Sequence, residues 1–198
     1  MKKIALGEIL TKYYEHGEIF NRESVHELYE QQIRRLLEEE CKDEKFIAVS
    51  LKGIKSMTVS VIISLFLSDF YQFCQQHENL IYVITDFSSD PIISQEMIME
   101  FEAATVIAKG MIKEGRAIAT SLLVDIDGIQ VIGFEEREEQ YKLFQYLYES
   151  KERITSGRLA EREEISNQSA SNRLSRLYEK RLIYRDEIAP KQYEYYSI

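Results

Sequence analysis

The side chains with the richest hydrogen-bonding chemistry lie within residues 166–176. This stretch carries two amides, Gln168 and Asn172, and two guanidinium groups, Arg173 and Arg176. Amides and guanidinium groups match the edges of nucleic-acid bases, whereas hydroxyl groups and cations match phosphates. Such residues are therefore candidates for contacts with a nucleic acid. The candidates near base edges are Gln168, Ser169, Asn172 and Arg173, and those near phosphates are Arg158, Ser171, Arg176, Arg185 and Lys191.

A second candidate set is the pair of carboxylates Asp86 and Asp90, which follows an apolar run predicted as a buried strand. Paired carboxylates at the carboxyl end of a strand can bind Mg²⁺ or transfer protons. Turn and helix-cap roles are the favoured alternative, because Asp is common in both. The sequence has no Gly-rich phosphate loop, no paired His spacing and no Gly-x-Ser-x-Gly motif. We therefore predict no catalytic residue, no metal site and no cofactor.

Two short helices joined by a tight turn are predicted to position the polar stretch. The first covers about residues 156–163, with Thr155 or Ser156 as its N-cap, and the second covers about 167–180, with Ser166 as its N-cap. The second helix has an apolar stripe at helical spacing, which predicts a buried face. The stripe consists of Ala170, Leu174 and Leu177. An ordinary helical hairpin is the alternative to a binding unit.

A β-hairpin is predicted after the second helix. Residues 182–187 and 192–197 are rich in Tyr and Ile, which favour strands, and residues 189–191 contain Pro and are typical of a turn. A further helix is predicted over residues 136–150. The tyrosines of the hairpin are expected to pack it against the second helix rather than to bind a ligand. They are Tyr193, Tyr195 and Tyr196.

The run ISNQSASNRLSRLYEKRLIYR, residues 165–185, resembles the recognition-helix segment of winged helix-turn-helix regulators of the ArsR and MarR types. The matching features are Ser166 in the turn, the small Ala170, and Leu174 and Leu177. These families often carry Gly before the turn and after the helix, where φ is positive, and this chain has Glu164 and Arg181 there. The resemblance implies a winged helix whose second helix enters the major groove of double-stranded DNA, in a homodimer.

The N-terminal part is predicted to be an α/β (or α+β) domain with a small sheet packed by helices. Apolar strand-like runs at 46–51 and 80–87 alternate with helical patterns at 21–40, 58–77 and 92–113. Asn21 is the expected N-cap of the first of these helices.

Shorter elements are predicted between and after these helices. A short strand is expected at residues 3–6, a short helix at 7–14 and a turn at 53–57. Residues 117–126 and 129–134 are expected to form a hairpin around Asp127-Gly128.

The segment VSLKGIKSMTVSVI, residues 49–62, resembles STAS-type domains and their STAS-like relatives. The resemblance implies a regulatory module that binds a protein or a small-molecule effector. Anti-anti-sigma members carry an Asp-Ser-Ser-Gly-like phosphorylation site, and residues 58–61 of this chain, TVSV, lack its Asp and first Ser. Phosphoregulation by that route is therefore not implied. We expect Thr58 and Ser60 to cap a helix, with a switch as the alternative.

The formal charge of −9 is unevenly divided along the chain. Residues 151–198 contain ten Lys/Arg and eight Asp/Glu, whereas the remainder contains fifteen and twenty-six. An acidic first part and a mildly basic last part are compatible with nucleic-acid contact by the latter. Because the basic excess is small, we expect modest DNA affinity per monomer and a need for a homodimer.

The location is predicted to be cytoplasmic. Cys41 and Cys74 lack metal-like spacing, and two lone cysteines fit a reducing compartment. The N-terminus, MKKIALGEIL, lacks the apolar core of a signal peptide, and the most apolar run, 59–67, is too short to cross a bilayer. No membrane role is expected.

We therefore predict two domains, a STAS-like regulatory or dimerisation domain at 1–135 and a winged helix-turn-helix domain at 136–198. The predicted function is DNA-binding transcriptional regulation. An alternative is an interaction module in which the winged helix binds a protein partner. A metal-dependent enzyme using Asp86 and Asp90 is the third, disfavoured hypothesis.

Overall fold

The computed structural model describes residues 2–41, 43–113, 118–134 and 138–198. The chain divides into two compact units, Met1–Gly133 and Phe134–Ile198, which we call the N-terminal unit and the C-terminal unit. The predicted boundary between residues 135 and 136, the helix start at 136 and the strand start at 117 lie outside the described residues.

The N-terminal unit is built on a mixed five-stranded sheet. The strands of this unit are β1 (Lys2–Ile4), β2 (Glu18–Ile19), β3 (Phe46–Ser50), β4 (Ser56–Met57), β5 (Ile81–Thr85), β6 (Leu122–Asp125) and β7 (Ile129–Ile132). The sheet order is β1-β3-β5-β6-β7, in which only β7 runs antiparallel to its neighbour. Strands β3 and β5 pair with Phe46 beside Ile81 and are buried along nearly their whole length, as their unbroken apolar sequences predict.

Helices pack against this sheet. They are α1 (Leu6–Leu10), α2 (Arg22–Leu28), α3 (Arg34–Glu40), α4 (Val59–Ile62), α5 (Tyr71–Gln75) and α6 (Pro91–Lys113). A π-helical segment, Tyr29–Ile33, joins α2 to α3, and a second one, Ile63–Phe70, joins α4 to α5. A short 3₁₀ turn covers Glu15–Gly17. Asn21 caps α2 as predicted, since its Oδ1 accepts the amide hydrogens of residues 23 and 24.

Aromatic side chains connect the helices to the sheet in one core. Phe66 lies 5.4 Å from Phe101 of α6, measured between ring centroids, and Phe70 lies 5.5 Å from Tyr82 of β5. The buried Tyr82 hydroxyl donates to the Phe66 carbonyl oxygen at 2.7 Å. The prediction of a mixed α/β part, with a largely parallel sheet packed by helices, is therefore confirmed.

Several local predictions in this unit are wrong. The predicted strand over residues 117–126 begins only at Leu122 in the described residues, and Leu6, predicted as the end of a strand, begins α1. The segment 53–57 contains β4, which pairs in parallel with β2, rather than a turn alone. The first helix ends at Leu10, although residues 7–14 were the expected span. Thr58 occupies the N-cap position of α4, but its side chain makes no capping bond, and its Oγ1 lies 3.1 Å from Ser60 Oγ instead.

Cys41 has no exposed surface, and burial raises the pKa of its thiol to about 11. Because the thiolate is the reacting form and the sulfur is buried, we expect alkylation of the folded protein near about pH 8 to be much slower than that of the unfolded protein. The pKa of this thiol is higher in the folded chain than the value of about 9 in the unfolded chain. Burial of the neutral thiol therefore adds to the free energy of unfolding below about pH 9, and this contribution declines as the pH rises above that value. Iodoacetamide labelling read by peptide mass spectrometry, with urea-unfolded protein as the control, measures the rate. Equal labelling of folded and unfolded protein at about pH 8 would contradict this expectation.

The C-terminal unit contains three helices and three strands in the described residues. They are α7 (Glu139–Ser150), β8 (Ile154–Thr155), α8 (Ser156–Glu163), α9 (Asn167–Glu179), β9 (Tyr184–Ala189) and β10 (Gln192–Tyr196). The strands form an antiparallel sheet in the order β8-β10-β9. The two predicted short helices and the hairpin are therefore present, each within two residues of its expected bounds.

Four non-glycine residues of this unit adopt the left-handed conformation within the described ranges. They are Lys151, Glu164, Arg181 and Lys191, with φ of 53°, 55°, 59° and 62°. Glu164 ends α8 and Arg181 follows α9, and these are the two positions at which the resembling families often carry Gly. The left-handed region disfavours a residue with a Cβ by roughly 1–2 kcal/mol, so each of these positions carries backbone strain.

Candidate nucleic-acid interface

Helix α9 is held by one side-chain cap and one buried stripe. Ser166 Oγ accepts a hydrogen bond from the Ser169 amide at 3.1 Å, which satisfies one of the free amide groups at the helix start. The buried stripe has no exposed surface and consists of Ala170, Leu174 and Leu177. The side of α9 away from this stripe carries an exposed polar line. We use this name for three exposed residues spaced four apart, Gln168, Asn172 and Arg176.

The two amides on the exposed line of α9 are bonded to each other. Gln168 Nε2 donates to Asn172 Oδ1 at 3.0 Å. This bond uses one donor of Gln168 and the oxygen of Asn172, so the Gln168 Oε1 acceptor and the Asn172 Nδ2 donors are not part of it. An acceptor next to a donor complements the N6 and N7 groups that adenine shows in the major groove. The pair therefore has suitable chemistry for a base edge.

Arg173 forms two ion pairs within the C-terminal unit. Its Nη1 donates to Glu163 Oε2 and its Nη2 pairs with Glu139 Oε2, both at 2.7 Å. Its side chain is only 20% exposed. Since two carboxylates hold the guanidinium group, it is not presented to a base edge. We therefore reassign Arg173 as a positioning residue that joins α9 to α7 and to the end of α8.

A cleft of about 350 Å³ lies between the starts of α8 and α9 and the β9–β10 hairpin. It brings together two predicted phosphate contacts, Ser171 on α9 and Lys191 in the turn of the hairpin. Its other lining side chains are mostly hydroxyl and amide groups. They include Thr155, Ser156, Asn167, Gln192 and Tyr193. A wall of hydroxyls and amides with one exposed cation suits a sugar-phosphate backbone.

Arg185 is stacked between aromatic rings. Its guanidinium carbon lies 4.0 Å from the Tyr178 ring centroid and 4.3 Å from that of Tyr193. These cation–π contacts join the end of α9 to both strands of the hairpin. Arg185 therefore holds the hairpin against the end of α9, and its contact with a phosphate stays a prediction.

The other predicted contacts differ in exposure. Arg158 and Arg176 are exposed, and no residue in the described parts of the chain forms an ion pair with either. Ser169 is half-buried near the start of α9. Tyr195 is buried, with its hydroxyl 3.4 Å from Ser175 Oγ, which agrees with the packing role expected for it.

Only Ser171 and Lys191 of the cleft residues were predicted as contacts, and Gln192 and Tyr193 are among those that were not. Gln192 was placed only as the first residue of a strand, and Tyr193 only as a packing residue. The structure shows both in the lining of the cleft. The available signal was their position directly after the turn that carries Lys191, since such residues lie at the tip of a hairpin.

The alternative catalytic pair has structural partners. Asp86 pairs with Lys3 at 2.7 Å, and hydrogen bonds from Lys3 and then Ser50 lower the pKa of its carboxyl. Asp90 caps α6, because its Oδ1 accepts the amide hydrogen of Ile92 at 2.9 Å. Among the described residues, no group of three or more His, Cys, Asp or Glu side chains is arranged to hold a metal ion.

No helix in the described ranges combines the length and the apolar character needed to cross a membrane. Comparison of the chain with protein-family models gives no match, and no curated protein matches it either. The chemistry of the C-terminal unit is therefore the basis on which a function is assigned.

Proposed function

We propose that the C-terminal unit is a winged helix-turn-helix domain that binds double-stranded DNA, and that the protein is a transcriptional regulator. One observation carries the proposal: Gln168, Asn172 and Arg176 form an exposed polar line on α9. The order helix, strand, helix, helix, hairpin supports it, since α9 then occupies the place of a recognition helix and β9–β10 that of a wing. The N-terminal unit would supply dimerisation or an effector site.

The residue roles follow from exposure. Gln168, Ser169 and Asn172 would face base edges in the major groove. The residues that would contact phosphates are Arg158, Ser171, Arg176 and Lys191. Arg173 and Arg185 would act indirectly, by holding α9 and the hairpin in position.

The test is fluorescence anisotropy with a duplex carrying the upstream region of the protein's own gene, compared with a scrambled duplex, at several salt concentrations. Tighter binding to the upstream region, with a steep fall in affinity as salt rises, is the expected result. Absence of binding to both duplexes at low salt would exclude DNA as the ligand of this unit.

Two single variants separate the proposed roles. Asn172→Ala should lower affinity for the preferred duplex by about 1–3 kcal/mol and hardly change binding to the scrambled one. Lys191→Ala should weaken both duplexes alike and reduce the salt slope by about one, because one phosphate contact is lost. Equal losses on both duplexes for Asn172→Ala would contradict its base-edge role.

A protein partner for the C-terminal unit is the second candidate. The observation that favours it is charge: the chain carries −9 overall, and residues 151–198 have an excess of only two basic residues. A pull-down from nuclease-treated extract distinguishes the two functions. One stoichiometric protein partner, with no DNA binding in the anisotropy experiment, would favour this candidate.

A further inference from the structure

The outer face of α6 carries apolar side chains that nothing in the described structure covers. Ile92, Met99 and Val106 are 68%, 60% and 66% exposed, and each is seven residues from the next. The opposite face of α6 is buried in the core through Met97, Phe101, Ala104 and Ala108. A soluble unit rarely leaves large apolar side chains aligned on one helix unless they meet another surface.

Small residues alternate with the large ones on the same face. Ala103 and Gly110 are exposed, so that the series Met99, Ala103, Val106 and Gly110 follows the alternating spacing of four and three residues found in helix-pairing seams. Nothing within 4 Å would touch a Cβ at Gly110. The absence of a side chain there is therefore not required by packing within the unit.

We propose that α6 pairs with α6 of a second copy of this chain in antiparallel orientation. In one register, Met99 lies against Gly110 of the partner subunit and Val106 against the partner's Ala103. Each large side chain then meets a small one, and the twofold symmetry makes both contacts twice. This arrangement accounts for the exposure of Met99 and Val106 and for the glycine at position 110.

Charge along α6 selects the same orientation. Glu96, Glu100 and Glu102 lie in its N-terminal half, whereas Lys109 lies in its C-terminal half. Antiparallel pairing in this register places Glu102 beside Lys109 of the partner subunit, on the flank of the seam. A parallel pair would place the glutamates against each other. Among the residues that the structure describes, neither Glu102 nor Lys109 forms an ion pair within its own chain.

The assembly does not depend on the proposed DNA binding, and its test contains no DNA. Sedimentation velocity over a range of protein concentrations should show a monomer–dimer equilibrium for the full chain. Val106→Lys should raise the dimer dissociation constant by about 100-fold or more, because it places two lysines in the seam. Ile188→Lys is the matched control: Ile188 is also an exposed apolar residue, at 54%, but lies in the other unit. A full chain that stays monomeric at about 100 μM, or an unaffected Val106→Lys dimer, would overturn the proposal.

A charge exchange tests the proposed contact between Glu102 and Lys109 of the partner subunit at the edge of the helix pair. Glu102→Lys should weaken the dimer by about tenfold, and the double variant Glu102→Lys/Lys109→Glu should restore most of that affinity. Both positions are exposed, so circular dichroism of the monomer should be unchanged. A double variant that is as weak as the single one would exclude this pairing.

Cysteine cross-linking reads the orientation directly. A mixture of Met99→Cys and Gly110→Cys chains should form a disulfide-linked dimer, whereas Met99→Cys alone should not, since the two copies of residue 99 lie about 16 Å apart along antiparallel helices. Cys41 and Cys74 are buried and do not interfere. Cross-linking of Met99→Cys with itself would indicate a parallel pair and overturn the antiparallel arrangement.

Discussion

An Arg173→Ala variant is expected to destabilise the C-terminal unit by about 2 kcal/mol without a selective change in DNA sequence preference. The guanidinium group of Arg173 bridges Glu139, the first residue of α7, and Glu163, the last residue of α8. Its removal leaves Glu163, whose side chain is 29% exposed, without this partner. Charged hydrogen bonds in such partly buried places contribute about 1.5–3 kcal/mol. Because Glu139 is 70% exposed, its ion pair with Arg173 adds little to the free energy of unfolding.

Thermal unfolding followed by circular dichroism, with hydrogen exchange of peptides from α7 to α9, measures this loss. Arg176→Ala is the matched control, since Arg176 is exposed on the same helix and its removal should leave unfolding unchanged while weakening DNA binding. Unchanged unfolding of Arg173→Ala, together with loss of preference at one base pair, would restore Arg173 to the base-edge role.

A Gly7→Ala variant is expected to lose about 2–3 kcal/mol of stability in the N-terminal unit. A Cβ at Gly7 would lie 2.2 Å from the Lys52 carbonyl oxygen and 2.8 Å from the Leu51 carbonyl carbon. Both atoms are backbone, so they cannot move aside as the end of a side chain can. Helix α1 cannot shift freely either, because Leu6 and Leu10 on the same short helix have no exposed surface.

Urea unfolding of the N-terminal unit measures the free energy of unfolding of this variant. Gly110→Ala is the control, measured at a protein concentration low enough to keep the chain monomeric. A Cβ at Gly110 would meet nothing within 4 Å, and Ala is the better helix former, so that variant should gain up to about 1 kcal/mol. A change of less than about 0.5 kcal/mol in Gly7→Ala would mean that the backbone at Lys52 yields to the added methyl group.

The elements of the C-terminal unit were predictable because their signals are local. Ser166 and Thr155 cap their helices through nearby backbone amides, and each bond joins residues three positions apart. The spacing of Ala170, Leu174 and Leu177 likewise gives the buried face of α9 without knowledge of what covers it.

The roles of individual arginines were not predictable in the same way. Arg173 and Arg176 are on the same helix and have the same chemistry. Arg173 is held by two carboxylates, one of them thirty-four residues away in sequence, and Arg176 is exposed. Which guanidinium group is engaged depends on where α7 lies beside α9, and no local pattern encodes that.

The sequence by itself determined most of the longer helices and strands and the buried stripe of α9, because caps, turn residues and apolar periodicity act over a few positions. The tertiary structure alone decided which polar residues stay exposed, that β4 pairs with β2, and that Met99 and Val106 of α6 lie outside the core. These features depend on contacts between segments far apart in the chain. An apolar residue on a long helix has the same sequence signature whether its own fold or a second molecule covers it.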